Sequence, residues 1–251
     1  MPVLERLERK GAGARAAGDE MSLVAHLGEL RRRLVVSAVA IGLGAVAGFA
    51  FYGPVLRLLI DPYVRATGQT TLFITDPLEG FSTRLKVAGY TGFVMATPVI
   101  LWQLWRFVTP GLERRERRLA LPCVVCGGLL FCLGAGLAFS TLTRALDFLV
   151  AIGGQDIETL FSPSKYLSLV TFMMLAFGLT FELPIVLVFL QLAGVLSSRR
   201  LRRWRRGAVV SIFVVVAVVT PSQDPYSLFA LAAPMHVFYE ASILVGRLLK
   251  R

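Results

Sequence analysis

The chain reads as an all-α integral membrane protein with six transmembrane helices, both termini cytoplasmic, the last two helices short, and structured periplasmic cap loops. Three observations predict this. First, 55% of its 251 residues are apolar and only 17% are charged, with a mean hydropathy of +0.67; soluble domains carry about 25% charged residues. Second, the sequence holds apolar windows long enough to approach the roughly 20 residues needed to cross a bilayer. Third, Lys and Arg are distributed very unevenly between the loops that join those windows.

The windows are charge-free or broken once. Leu34–Leu56, Val87–Trp105 and Leu119–Thr143 contain no charge; Tyr166–Ser198 is interrupted only by Glu182; Gly207–Gln223 is the shortest; Pro225–Gly246 is interrupted by Glu240. The expected spans are about 34–56, 87–107, 119–143, 166–194, 207–221 and 226–246, within a membrane domain of 21–246. The apolar heart of the fifth, Ala208–Val219, is too short for an ordinary crossing, and Glu240 cuts the sixth, so a pair of short final helices is expected. Thr220-Pro221-Ser222-Gln223-Asp224-Pro225 joins them in a tight turn.

Twenty of the 27 Lys and Arg residues fall before the first span, between spans two and three, between spans four and five, or after the last; six fall in the opposite loops. That bias puts both termini in the cytoplasm. Residues 1–20 are expected to be a disordered cytoplasmic tail rather than a cleaved leader, and 247–251 a second tail. The outer loops Gly53–Lys86 and Arg144–Lys165 are long and semi-apolar, which predicts a structured cap.

A net charge of +11 would raise nucleic acid as a partner in a soluble chain; here cytoplasmic basic loops account for it. Cys123, Cys126 and Cys132 share one apolar run and read as packing residues. No Ser-His-Asp set, phosphate loop, redox pair or zinc ligand set is present, so no enzyme activity, cofactor or metal is expected.

Four constellations carry polar chemistry. Leu23, Leu27, Leu30 and Leu34 have helical spacing and form an amphipathic interfacial segment. It carries Glu29 amid Arg31, Arg32 and Arg33; an intrahelical pair with Arg32 or Arg33 is the plain alternative. Next, Trp102 and Trp105 fit an interfacial belt, followed by Phe107, Pro110-Gly111, and Glu113 and Glu116 three residues apart; a solvated, salt-bridged loop fits equally. Then Glu182 lies in mid-membrane, where an unpaired carboxylate costs on the order of 2.5–3.5 kcal/mol, beside Pro184, which kinks its helix. Last come Asp224, a turn residue or helix cap, and Glu240 near the inner end of span six. Gly44-x-x-x-Gly48 marks close helix packing.

These blocks together resemble the TatC family, the polytopic receptor subunit of the twin-arginine protein translocase. The likeness rests on His26-Leu27-x-Glu29-Leu30-Arg31; on Phe107-x-x-Pro110-Gly111-Leu112 with Glu116-Arg117-Arg118; on Phe177-Gly178-x-x-Phe181-Glu182-x-Pro184; and on Thr220-Pro221-x-x-Asp224 with Pro234-Met235 and Glu240. It implies a receptor for folded precursors whose signal peptides carry paired arginines, bound by Glu29, Arg31, Phe107 and Glu116. It further implies an intramembrane polar site at Glu182 and Pro184 facing a water-accessible hollow, and partner or transport roles for Pro62, Asp224 and Glu240. Single-span TatA- and TatB-type subunits, a homo-oligomer in a larger complex, proton-motive force and the bacterial cytoplasmic (inner) membrane are implied too. The rival reading is an ion- or proton-coupled secondary transporter using Glu182, Asp224 and Glu240 as relays; a passive scaffold leaves Glu29 and Glu116 unexplained.

Overall fold

The computed structural model describes residues 27–74, 76–108, 120–152, 161–192, 194–220 and 224–249. The described residues form helices α1 (Leu27–Ala50), α2 (Tyr52–Thr67), α3 (Glu79–Val108), α4 (Ala120–Ile152), α5 (Pro163–Phe181), α6 (Leu183–Leu192), α7 (Ser198–Arg203), α8 (Arg205–Val219) and α9 (Pro225–Leu249). Five segments are long and apolar enough to cross a membrane: α1, α3, α4, the joined α5–α6 and α9. The tail expected at 1–20 lies outside the described residues.

The first expected span, 34–56, is divided. α1 ends at Ala50 because Pro54 cannot donate to the Ala50 carbonyl and its ring crowds that carbonyl. Phe51 takes a non-helical φ of −92° and ψ of 20°, and α2 begins with Pro54 in its first turn. α2 stops at Gly68, whose φ of 69° closes the helix onto the Val64 carbonyl; only glycine reaches this left-handed region cheaply.

α1 meets α3 backbone to backbone. A Cβ on Gly44 would lie 2.8 Å from the Gly92 carbonyl oxygen, and one on Gly48 would lie 2.7 Å from Thr91 Cβ. The small-residue spacing in α1 therefore marks its contact with α3. α4 and α5 use the same device: a Cβ on Gly134 would lie 2.6 Å from the Phe177 carbonyl, and one on Gly178 the same distance from the Phe131 ring. The core that results joins α2, α4, α5, α8 and α9 through Leu59, Leu142, Leu146, Phe177, Val216 and Leu231.

Of the expected loop 53–86, α2 runs to Thr67 and α3 starts at Glu79. α2 lies over the start of α5, where the Tyr166 hydroxyl donates to the Leu59 carbonyl at 2.7 Å and Tyr63 packs against Tyr166 and Phe161. Phe73 N–H donates to the Phe161 carbonyl at 3.4 Å. Of the second expected loop, Arg144–Lys165, α4 continues as helix to Ile152.

α8 is short, with 15 residues, or roughly 22 Å at about 1.5 Å per residue. α9 is not. It runs for 25 residues, which corrects the expectation of two short final helices. Glu240 does not interrupt it, because its carboxylate turns outward to pair with Arg205 at the start of α8. Pro234 is accommodated inside the helix.

Candidate functional site

The spacing 29, 32, 33, 36 puts four residues on one stripe of α1. That stripe faces the last turns of α3. Glu29, Arg32, Arg33 and Val36 line a cleft of about 290 Å³ with Gln103 and Arg106. Glu29 pairs with Arg33, and Arg33 Nη1 donates to the Gln103 carbonyl at 3.2 Å. The pair thus ties α1 to α3 as well as bridging one helical turn. The Arg33 side chain is 14% exposed and that of Glu29 37%, so the acid stays reachable while its partner is sealed. Three guanidiniums share the cleft with this one carboxylate. A carboxylate presents about four lone-pair sites, more than one guanidinium fork engages.

Trp105 anchors the α3 end of the cleft. It is buried, packs on Val124 and meets Phe189 edge-on with ring centroids 5.5 Å apart. Trp102 stays exposed, as an interfacial residue does. Phe107 follows Arg106 on the last turn of α3 and is half-buried; Arg31 is exposed and does not line the cleft. Glu116, with Pro110 and Gly111, lies outside the described residues.

Glu182 sits at the elbow between α5 and α6. Pro184 cannot donate to the Thr180 carbonyl, so the helix tightens there: Glu182 N–H reaches Leu179 at 3.1 Å, and the Glu182 carbonyl accepts from Ile185 and Val186. The carboxylate lies over Gly127 of α4. A Cβ on Gly127 would be 2.9 Å from Oε2 and from Leu101 Cδ1, and 3.3 Å from Oε1. Oε1 is buried with no hydrogen-bond partner among the described residues. The residue as a whole is half-buried, with one carboxylate oxygen sealed against α4. Pro184 lines a void of about 40 Å³ beside α8 and α9.

The remaining acids are engaged. Asp224 is fully buried and caps α9: Oδ1 accepts from Ser227 N–H at 2.7 Å and the carbonyl from Leu228 N–H at 3.2 Å. This is the helix-cap alternative. Glu240 forms a half-exposed surface pair with Arg205. Pro62 is buried within α2. The structure does not gather Glu182, Asp224 and Glu240 into one hydrogen-bonded chain among the described residues, as a proton relay needs. Among those residues no cluster of His, Cys, Asp or Glu has the geometry to hold a metal.

Two polar residues escaped the sequence reading. Glu79 is buried and accepts from Ser162 Oγ and from Ser164 N–H at 3.0 Å. Gln191 is fully buried at the junction of α6, α7 and α9. A lone amide inside an otherwise apolar run was the available signal for Gln191; the partners of Glu79, more than 80 residues away, left none.

The family model for TatC, described as Sec-independent protein translocase protein, matches residues 25–234. Curated relatives carrying that description include one from Frankia casuarinae, 39% identical over 240 residues, covering 91% of this chain and 66% of the relative. Another, from Aquifex aeolicus, is 37% identical over 234 residues, covering 92% of this chain and 97% of the relative. A crystal structure of the twin arginine translocase receptor TatC superposes with a TM-score of 0.74 at 36% identity, covering 90% of this chain and all of that one. The shared helical body and the residues 25–234 that carry it make this chain a member of the TatC family of Sec-independent protein translocase proteins.

Proposed function

We propose that the chain is the membrane receptor component of a twin-arginine protein translocase. It binds the paired-arginine signal peptide of folded precursor proteins at its cytoplasmic face. It then nucleates the translocation site with single-span TatA- and TatB-type subunits, driven by the proton-motive force, within a larger complex that contains further copies of itself. In this reading the membrane is the bacterial cytoplasmic one, crossed six times with both termini inside. The excess of Lys and Arg in the corresponding loops supports that orientation. A crossing by α8 requires local thinning, since roughly 22 Å is short of the roughly 30 Å hydrocarbon core.

The observation that carries the proposal is the Glu29 cleft: one reachable carboxylate inside a rim of Arg32, Arg33 and Arg106. A guanidinium presents a planar donor fork that a carboxylate meets with two parallel bonds, whereas lysine offers a point charge. The basic rim repels cationic ligands that fail to make that match, so selectivity comes from repulsion as well as attraction. In this reading Glu29 and Glu116 are the acceptors, and Arg31 and Phe107 contribute to signal-peptide binding, as the family likeness implies. Glu182 and Pro184 act in transport after binding, and Pro62, Asp224 and Glu240 support partner docking.

The test is affinity of the purified chain for a twin-arginine signal peptide and for its lysine-pair counterpart. Glu29→Ala should weaken the first by about ten- to a hundredfold, since a charge-assisted bond contributes roughly 1.5–3 kcal/mol. It should also cost about 1–3 kcal/mol of stability, because it leaves the largely sealed Arg33 guanidinium without its acid. Equal affinity for the two peptides sinks the proposal. For orientation, a cysteine at Gly68 should react with an impermeant reagent applied outside intact cells, and one at Arg200 should not; the reverse pattern inverts the topology.

A further inference from the structure

At the far end of α9 from Asp224, a second cleft carries no assigned role. Its volume is about 570 Å³, and it is lined by Ser197, Ser198, Arg199, Arg202, Gly246 and Arg247. Arg199 and Arg202 stand one turn apart on α7; Arg247 reaches in from the last turn of α9. None of the three forms an ion pair among the described residues, while neighbouring Arg205 is neutralised by Glu240. Three guanidiniums facing one cavity repel each other, and an anion placed between them removes that repulsion.

The walls are fixed by hydrogen bonds. Ser198 Oγ donates to Gln191 Oε1 at 2.7 Å, and Gln191 Nε2 donates to the Ser242 carbonyl at 2.9 Å. Tyr239 OH donates to the Leu201 carbonyl at 2.8 Å, holding α7 against α9. Gly246 admits Gln191 so closely that a Cβ there would lie 2.1 Å from its Oε1. The Ser198 and Gly246 wall of the cleft is therefore built into the α6–α7–α9 junction, with the three exposed arginines at its rim.

Its depth fixes what it meets. α7 joins the apolar helices α6 and α8 and buries Leu201, while the flanking Trp204 is 66% and Val195 63% exposed. An exposed Trp beside Arg residues at the end of apolar helices marks the headgroup layer. Basic pockets between helices at that level match phosphate-bearing headgroups. We propose that this cleft binds the headgroup of an anionic phospholipid in the leaflet that contacts α7. The inference goes beyond the receptor reading and does not rest on it.

The experiment counts lipid retained by the full chain in neutral detergent, by native mass spectrometry, during titration with phosphatidylglycerol, phosphatidylcholine or soluble glycerol phosphate. The wild type should retain phosphatidylglycerol in preference to both others. R199Q/R202Q/R247Q should weaken that retention about a hundredfold, as surface basic residues each contribute about 1 kcal/mol toward anionic lipid. R200Q/R203Q/R206Q, which removes equal charge outside the cleft, should leave retention close to wild type; Arg202→Gln alone serves if the triple variant does not fold. Equal losses in the two triples reduce the cleft to a diffuse positive field and overturn the proposal. So does equal retention of phosphatidylcholine, or displacement by glycerol phosphate at equal concentration.

Discussion

The two ends of α5 each hold a carboxylate, and the fold treats them in opposite ways. At the first turn, Glu79 reaches across from α3 and is buried with Ser162 Oγ and Ser164 N–H as donors. The negative charge also meets the positive end of the α5 dipole. Nearby Lys86 Nζ donates to Ser164 Oγ at 2.6 Å and Ser168 Oγ at 3.0 Å, so α3 and α5 are clamped twice. At the last turn, Glu182 has one oxygen buried without a partner among the described residues. A satisfied buried acid holds a structure together; an orphaned one costs stability and signals a use outside folding.

Substitutions that exchange these fates sharpen the contrast. The largest effect on stability should come from Glu79→Ala, which strips the acceptor from Ser162 and Ser164 and removes the anion from the head of α5. A loss of about 1–3 kcal/mol is expected in denaturant melts of the purified protein. Unchanged stability there would erase the distinction. A smaller loss, about 1 kcal/mol, should follow Gly127→Ala, since the added methyl overpacks only side-chain ends, Glu182 Oε2 and Leu101 Cδ1. It should also depress transport of a twin-arginine precursor, because the acid is displaced. The smallest change in stability belongs to Glu182→Gln, nearly neutral, because the amide keeps the shape of a side chain whose sealed oxygen already lacks a partner among the described residues. Signal-peptide binding should persist while transport in vesicles fails. If Glu182→Gln unfolds the protein as readily as Glu79→Ala, the orphan is structural after all.

What the sequence disclosed follows the range of the interactions involved. The Gly44 and Gly48 contact, the elbow at Pro184 and the cap at Asp224 are local signatures of glycine spacing, proline sterics and helix starts. Each appears in the fold where the residues predicted it. The division of the first span at Phe51 was hidden because apolarity alone does not reveal where Pro54 interrupts a hydrogen-bond ladder. The length of α9 was misread because Glu240 looked like an obstacle in isolation; its partner Arg205 sits 35 residues earlier. The clamp at Glu79 and the junction at Gln191 depend on contacts between distant segments, which no periodicity encodes. In the candidate site, the sequence supplied Glu29 and its arginines but not the choice of Arg33 as partner, nor the Gln103 carbonyl that holds Arg33 against α3.

The glycine contact between α1 and α3 has a further effect at the Glu29 end. A methyl on Gly92 would stand 2.5 Å from Ala45 N and 2.6 Å from the Ile41 carbonyl oxygen, both main-chain atoms that cannot step aside. A contact this close fixes the spacing of α1 and α3 along the stretch that leads to Glu29. On the proposed receptor reading, a segment placed this way spares an arriving leader part of the ordering cost of its berth.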